Sequence, residues 1–222
     1  MSKLAPLIAS LNISRHSSDH HKRNDEEIKA DLEFEKFNGD DKSFYGFVPN
    51  DKISGVQSND RGASTKRLVK QLASDGYAEA FCAHGLPNLV AALYIPQLGV
   101  FVGSIPRSKD TALKLYSMAE KFPDYSNLIR GRLGESTPEN SDKPEEQLHA
   151  EDMVISNAVA KMVDNHIDPE EGLTYSKIAI YGLYSKNDHV GFKSPCGSND
   201  RNKINHPACV IVLNRWHMKT AT

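Results

Sequence analysis

Two strand-length apolar runs joined by a tight turn constrain this chain more than any other feature. Asn88-Leu89-Val90-Ala91-Ala92-Leu93-Tyr94-Ile95 is followed by Pro96-Gln97-Leu98-Gly99 and then by Val100-Phe101-Val102-Gly103-Ser104-Ile105. The first run is apolar, of strand length and bounded by turn residues, so it reads as a buried strand, and the second as its return in a β-hairpin. Helical patterns flank it. Upstream, Ser64 or Thr65 can cap a helix with Leu68, Val69 and Leu72 on one face and Asp75-Gly76 as its expected end. Downstream, Lys109 to Glu120 carries Ala112, Leu113, Leu115, Tyr116 and Met118. Pro144-Glu145-Glu146 is a helix-start signal, and the helix it opens carries Ala150, Met153, Val154, Ile155, Ala158, Val159, Met162 and Val163. Apolar residues cover most of that helix's circumference, which predicts burial. Ile178 to Tyr184 reads as a strand, and the continuous run Ala208 to Leu213 as a central one. Lys121 to Lys143, Asp164 to Thr174 and Ser185 to Pro207 read as loops. The order predicts an α/β layered fold with helices packed on a central sheet.

At 222 residues the chain suits one domain with an appendage. The expected division is an N-terminal extension over 1–60, partly flexible, and a main domain over 61–222. The stretch from Arg15 to Glu27 is polar, mixed in sign and aperiodic, so His16, His20 and His21 read as part of a solvated linker rather than a metal tract. No apolar run approaches the roughly 20 residues of a membrane span, and Met1 to Ile13 lacks the pattern of a secretory leader. A net charge of −2 argues against a general nucleic-acid coat. The three cysteines, Cys82, Cys196 and Cys209, are too few and of odd number for a disulfide framework, which leaves reduced thiols or metal ligands.

The chemistry-bearing element is Leu148-His149-Ala150-Glu151-Asp152 at the head of the buried helix. An H-x-E triplet alone is weak, but Ser194-Pro195-Cys196-Gly197 follows a predicted strand downstream. The joint pattern resembles the zinc-dependent cytidine deaminase superfamily, whose signature is H-x-E followed by P-C-x-x-C. The resemblance spans about Leu68 to Leu213 and includes the hairpin and the order of elements. It implies a cytidine deaminase-like three-layer sandwich, with a central mixed sheet and helices on both faces. It implies zinc held by His149 and Cys196, with Glu151 as acid and base rather than ligand. One imidazole and two thiolates suit this borderline-soft ion, and catalytic zinc keeps one position open for water.

The chain departs from the family where the second cysteine should stand, since Asn199 occupies that place. Three readings remain. Cys209 completes the set across an enlarged loop, His206 does so, or the site is incomplete. If Cys209 is the ligand, it begins a strand beside Ile178 to Tyr184, and its sulfur comes near that of Cys196. Asn88, Phe192 and Lys193 are the candidate substrate contacts, while Asp152 reads as a first-turn helix charge. The expected activity is hydrolytic deamination of an amino-substituted base, nucleoside or nucleotide, cytidine-like by preference. Its partners would be a small heterocyclic substrate and a second copy of the chain, in the cytoplasm and away from membranes. The slightly acidic balance does not favour a nucleic-acid substrate. The alternatives are a deaminase-fold binding protein or non-deaminating enzyme of specialised metabolism, and a toxin-type nucleic-acid deaminase.

Overall fold

The computed structural model describes residues 29–30, 34–36, 43–56, 62–84, 89–133, 139–141, 143–183, 189–196 and 209–222. The strands described are β1 (Lys29–Ala30), β2 (Phe34–Lys36), β3 (Phe44–Pro49), β4 (Ile53–Ser54), β5 (Leu89–Ile95), β6 (Gly99–Ser104), β7 (Lys177–Leu183), β8 (Val190–Lys193) and β9 (Lys219–Thr220). The α-helices described are α1 (Ala63–His84), α2 (Lys109–Ala119), α3 (Pro123–Arg132), α4 (Ala150–Asp164), α5 (Pro169–Leu173) and α6 (Cys209–Arg215). β1 and β4 form a small separate pair. The main sheet runs β2-β3-β6-β5-β7-β8 with every neighbour antiparallel, and it is mixed only because β9 joins β7 in parallel.

The hairpin β5–β6 lies at the centre of this sheet, and its apolar continuity has a direct cause. Ala91, Leu93 and Ile95 face one helical layer, in a core with Ala112 and Leu115 of α2 and Met153, Val154 and Ala158 of α4. Val90 and Ala92 face the other, against Leu68, Val69, Leu72, Ala73 and Tyr77 of α1. With both faces covered, β5 is buried at every position but Leu89 and Tyr94, which are partly buried, and polar alternation disappears. Each buried Val, Leu or Ile there contributes roughly 1.5–3 kcal/mol relative to exposure. Gly103 on β6 sets how closely α4 lies on the sheet, because a Cβ there would stand 2.4 Å from Met153 Cγ. That close approach fixes α4, and with it the helix start that carries the site.

Several elements differ from their sequence-based expectation. Asp75-Gly76 does not end α1, which continues through Tyr77 and Ala80, both buried on the sheet. Burial of that face outweighs the ~1 kcal/mol that an interior glycine costs a helix. The stretch read as a loop from Lys121 contains α3, with Pro123 in its first turn and Tyr125 and Ile129 buried one turn apart. The loop read over Asp164 to Thr174 contains α5, capped by the Asp168 side chain, which accepts from the Glu170 N–H at 3.1 Å. Pro144-Glu145-Glu146 makes a single 3-10 turn, and α4 starts only at Ala150. The run read as a strand over Ala208 to Leu213 is helical from Cys209 onward, where the description begins. Cys209, Val212, Leu213 and Trp216 are buried at helical spacing, while Ile211 is 46% exposed, as a helix with one covered face requires. The parallel partner of β7 is β9 instead. Finally, β3 lies before the boundary expected at 60, yet it is hydrogen-bonded to β6 and places Phe44 and Val48 in the core.

Candidate metal centre

His149 is the N-cap of α4, in extended conformation (φ −115°, ψ 174°) immediately before the first helical residue. Its backbone N–H donates to Asp152 Oδ2 at 2.8 Å, the return half of a capping box. The second oxygen, Asp152 Oδ1, accepts from the Tyr125 hydroxyl at 3.1 Å. Asp152 is 1% exposed, so its carboxylate is a buried tether between α4 and α3 rather than a surface charge.

The second half of the site comes from the far side of the sheet edge. After β8 the chain passes through Ser194 and Pro195 to Cys196, and α6 starts at Cys209. The Cys209 N–H donates to Cys196 Sγ at 3.1 Å, and the Val210 N–H donates to the Cys196 carbonyl oxygen at 3.2 Å. Cys196 thus satisfies helix-start N–H groups of α6 from a distant point in the chain, as a capping residue does locally. His149 Nδ1 lies 3.0 Å from Cys209 Sγ and 3.3 Å from Cys196 Sγ. The three ligand atoms fall within 4.8 Å of one another, close enough to hold a metal ion, and among the described residues no other such group occurs.

The cluster's own contacts polarise it. Hydrogen bonding from Cys209 lowers the Cys196 thiol, and although burial opposes this, the His149 bond and charge take it down to about 4. Burial would lower His149, but the bond to Cys196 and the charges of Asp152 and Glu151 outweigh it and raise the imidazole to about 9. Glu151, in the first turn of α4, is 4% exposed, and its Oε2 has no hydrogen-bond partner among the described residues. Burial pushes its carboxyl above the usual range, against the positive charge of His149.

Of the residues singled out from sequence, the structure brings His149, Cys196, Cys209 and Glu151 to one place. Lys193 stands beside them. Burial lowers its ammonium while the charge of Glu151 opposes that shift, and Nζ donates to the Leu183 carbonyl. Phe192 is not part of the site. Its ring packs edge-on against Tyr181 at 4.9 Å, beneath Lys70 of α1 at 4.2 Å, on the opposite face of the sheet from α4. The cause is strand alternation, which sends neighbouring Phe192 and Lys193 to opposite faces of β8. Asn88, Asn199 and His206 lie outside the described residues. Sequence reasoning missed Tyr125 and undervalued Asp152. The signal for Tyr125 was Pro123 followed by Tyr125, Ile129 and Leu133 at four-residue spacing.

No family model, curated protein or solved structure matches the chain. What the geometry defines is a mixed α/β fold with a His/Cys/Cys cluster able to hold a metal ion. Among the described residues no helix is long and apolar enough to cross a membrane.

Proposed function

We propose that this chain is a zinc-dependent hydrolytic deaminase of the cytidine deaminase type, acting on an amino-substituted base, nucleoside or nucleotide. The observation that carries the reading is Glu151, a buried carboxylate with one oxygen that has no partner among the described residues, two residues beyond the metal-ligand candidate His149. The donor set fits zinc. At about 2.3 Å for sulfur and 2.0–2.1 Å for nitrogen, tetrahedral ligands lie roughly 3.5–3.7 Å apart. The nitrogen–sulfur distances of 3.0 and 3.3 Å need only a small opening of the cluster to reach this. His149, Cys196 and Cys209 would hold the ion and leave a fourth position open. Bound there, zinc supplies acidification of water to near neutrality.

The chain's own contribution is proton transfer. A carboxyl held above its ordinary range by burial is suited to take a proton and return it at neutral pH. Glu151 takes one proton from the attacking water and delivers it to the ring nitrogen, then passes the remaining hydroxyl proton to the departing amine. Water oxygen bonds to the amine-bearing ring carbon, the C–N bond breaks, ammonia leaves and a ring carbonyl remains. Asp152 plays no part in this exchange, since both its oxygens are engaged in holding His149 and Tyr125. A small substrate accords with a net charge of −2 and 8% aromatic residues.

The test combines metal analysis after chelator-free purification with an ammonia-release screen over bases, nucleosides and nucleotides. About one zinc per chain, with ammonia released by the parent and not by Glu151→Gln, is the expected result. Zinc without ammonia from any compound in the screen overturns the deaminase reading.

A further inference from the structure

His149 and Cys209 come from two helix starts sixty residues apart, yet their ligand atoms meet at 3.0 Å. Something must fix α4 relative to α6. Beyond the core that both helices share, α3 touches each of them, and one of its side chains reaches both. Tyr125 is fully buried. Its hydroxyl donates to Asp152 Oδ1 at 3.1 Å, and Asp152 in turn holds the His149 N–H at 2.8 Å. The edge of the same ring stands against Trp216, with centroids 6.1 Å apart at 73°. Trp216 is 2% exposed and follows directly on α6. Phe122, the N-cap of α3, also packs against that indole, with centroids 5.4 Å apart. An ion pair between α3 and α6, Asp124 with Arg215 at 3.2 Å, is exposed on both sides and adds little.

We infer that Tyr125 is the positioning residue of the metal centre, setting His149 through Asp152 and Cys209 through Trp216. The inference rests on the metal-binding reading of the cluster and goes beyond it by naming what holds its two halves in register. Groups one step behind a ligand orient it, and their removal typically costs about 10–100-fold in metal affinity. Tyr125 acts on both halves at once, so its two contacts separate by mutation. Tyr125→Phe removes the hydroxyl and keeps the ring on Trp216. Tyr125→Leu removes both.

The experiment measures zinc dissociation constants of the full chain by competition with a chromophoric chelator, for the parent, Tyr125→Phe, Tyr125→Leu, Asp152→Ala and Asp152→Asn. The thermal midpoint of each metal-free protein and the visible spectrum of each cobalt-substituted protein accompany them. Tyr125→Phe is expected to weaken zinc about tenfold, Tyr125→Leu and Asp152→Ala further toward 100-fold. Asp152→Asn, whose amide oxygen can still accept from the His149 N–H, stays nearer the parent. The cobalt bands of the Tyr125 variants should lose tetrahedral intensity while the metal-free midpoint of Tyr125→Phe stays close to the parent's. Tyr125→Phe with parental zinc affinity overturns the inference, and so does a loss of affinity matched by an equal loss of metal-free stability. A parent that binds no zinc overturns the metal reading and this inference together, whereas a zinc-binding parent indifferent to Tyr125 overturns this inference alone.

Discussion

Replacing Glu151 with Gln should make the protein more stable and nearly inactive at once. The side chain is 4% exposed, and Oε2 has no partner among the described residues. A buried polar group left unsatisfied costs about 1–3 kcal/mol, and more when it is charged. Because burial raises the carboxyl above its ordinary value of 4.5, the folded state binds this proton more tightly than the unfolded chain does. The carboxylate therefore costs stability above the ordinary glutamate range, and the cost is relieved as pH falls and the group protonates. Gln has nearly the same shape and no charge to desolvate. At pH near 8, Glu151→Gln should gain about 1–3 kcal/mol, or roughly 2–12 °C in midpoint for a chain of this size. The gain should shrink toward acid, where the parent's carboxyl is already neutral. Turnover should fall about 10²–10⁴-fold, the usual contribution of a general acid–base group. Thermal melts of metal-free parent and variant across this pH range, with the zinc uptake of each measured separately, provide the assay. A variant that melts below the parent at alkaline pH refutes the argument, because the carboxylate would then be well satisfied. A variant that loses zinc makes Glu151 a ligand instead.

Cys209→Ser should lose most of its zinc while keeping its fold, whereas His206→Ala should retain zinc, and metal content after dialysis distinguishes them. Gly103→Ala should cost about 1–3 kcal/mol by overpacking, since its Cβ would fall 2.4 Å from Met153 Cγ; chemical denaturation reads this, and an unchanged midpoint means that α4 can shift. Zinc uptake at neutral pH should release the proton that His149 holds up to about 9, so affinity rises with pH toward that value; titration with a pH indicator counts the protons, and uptake without release contradicts the assignment of His149 as ligand.

The His/Cys/Cys cluster was legible because its signal is chemical and local. Few residue types bind a borderline-soft ion, and His149, Cys196 and Cys209 are among the few candidates in the chain. What was not legible is how Cys209 is delivered to the cluster. Cys-Val-Ile-Val-Leu is rich in β-branched residues, and taken by itself it reads as a strand. Extending the window to Trp216 shows Cys209, Val212, Leu213 and Trp216 at helical spacing, and the structure buries those four. Helix α3 was hidden for a similar reason. Pro123 and Gly131 read as breakers, although proline in the first turn is a helix signal. Phe192 was misplaced because strand β8 is short and set in polar surroundings, and without its register nothing in the sequence says which face a side chain takes. The hairpin was read correctly because strands covered on both faces announce themselves by continuous apolarity. Phe44-Tyr45-Gly46-Phe47-Val48 carries β-forming residues in a segment otherwise polar, and composition over the whole extension masked it.

The account stands or falls on three named ligands meeting at one ion. X-ray absorption at the zinc edge of the purified full chain measures that directly. The expected first shell has two sulfur atoms at about 2.3 Å and nitrogen or oxygen neighbours at about 2.0–2.1 Å, with the sulfur count falling to one in Cys209→Ser loaded with equimolar zinc and left undialysed. A shell of oxygen and nitrogen alone, or a sulfur count that Cys209→Ser leaves unchanged, contradicts it.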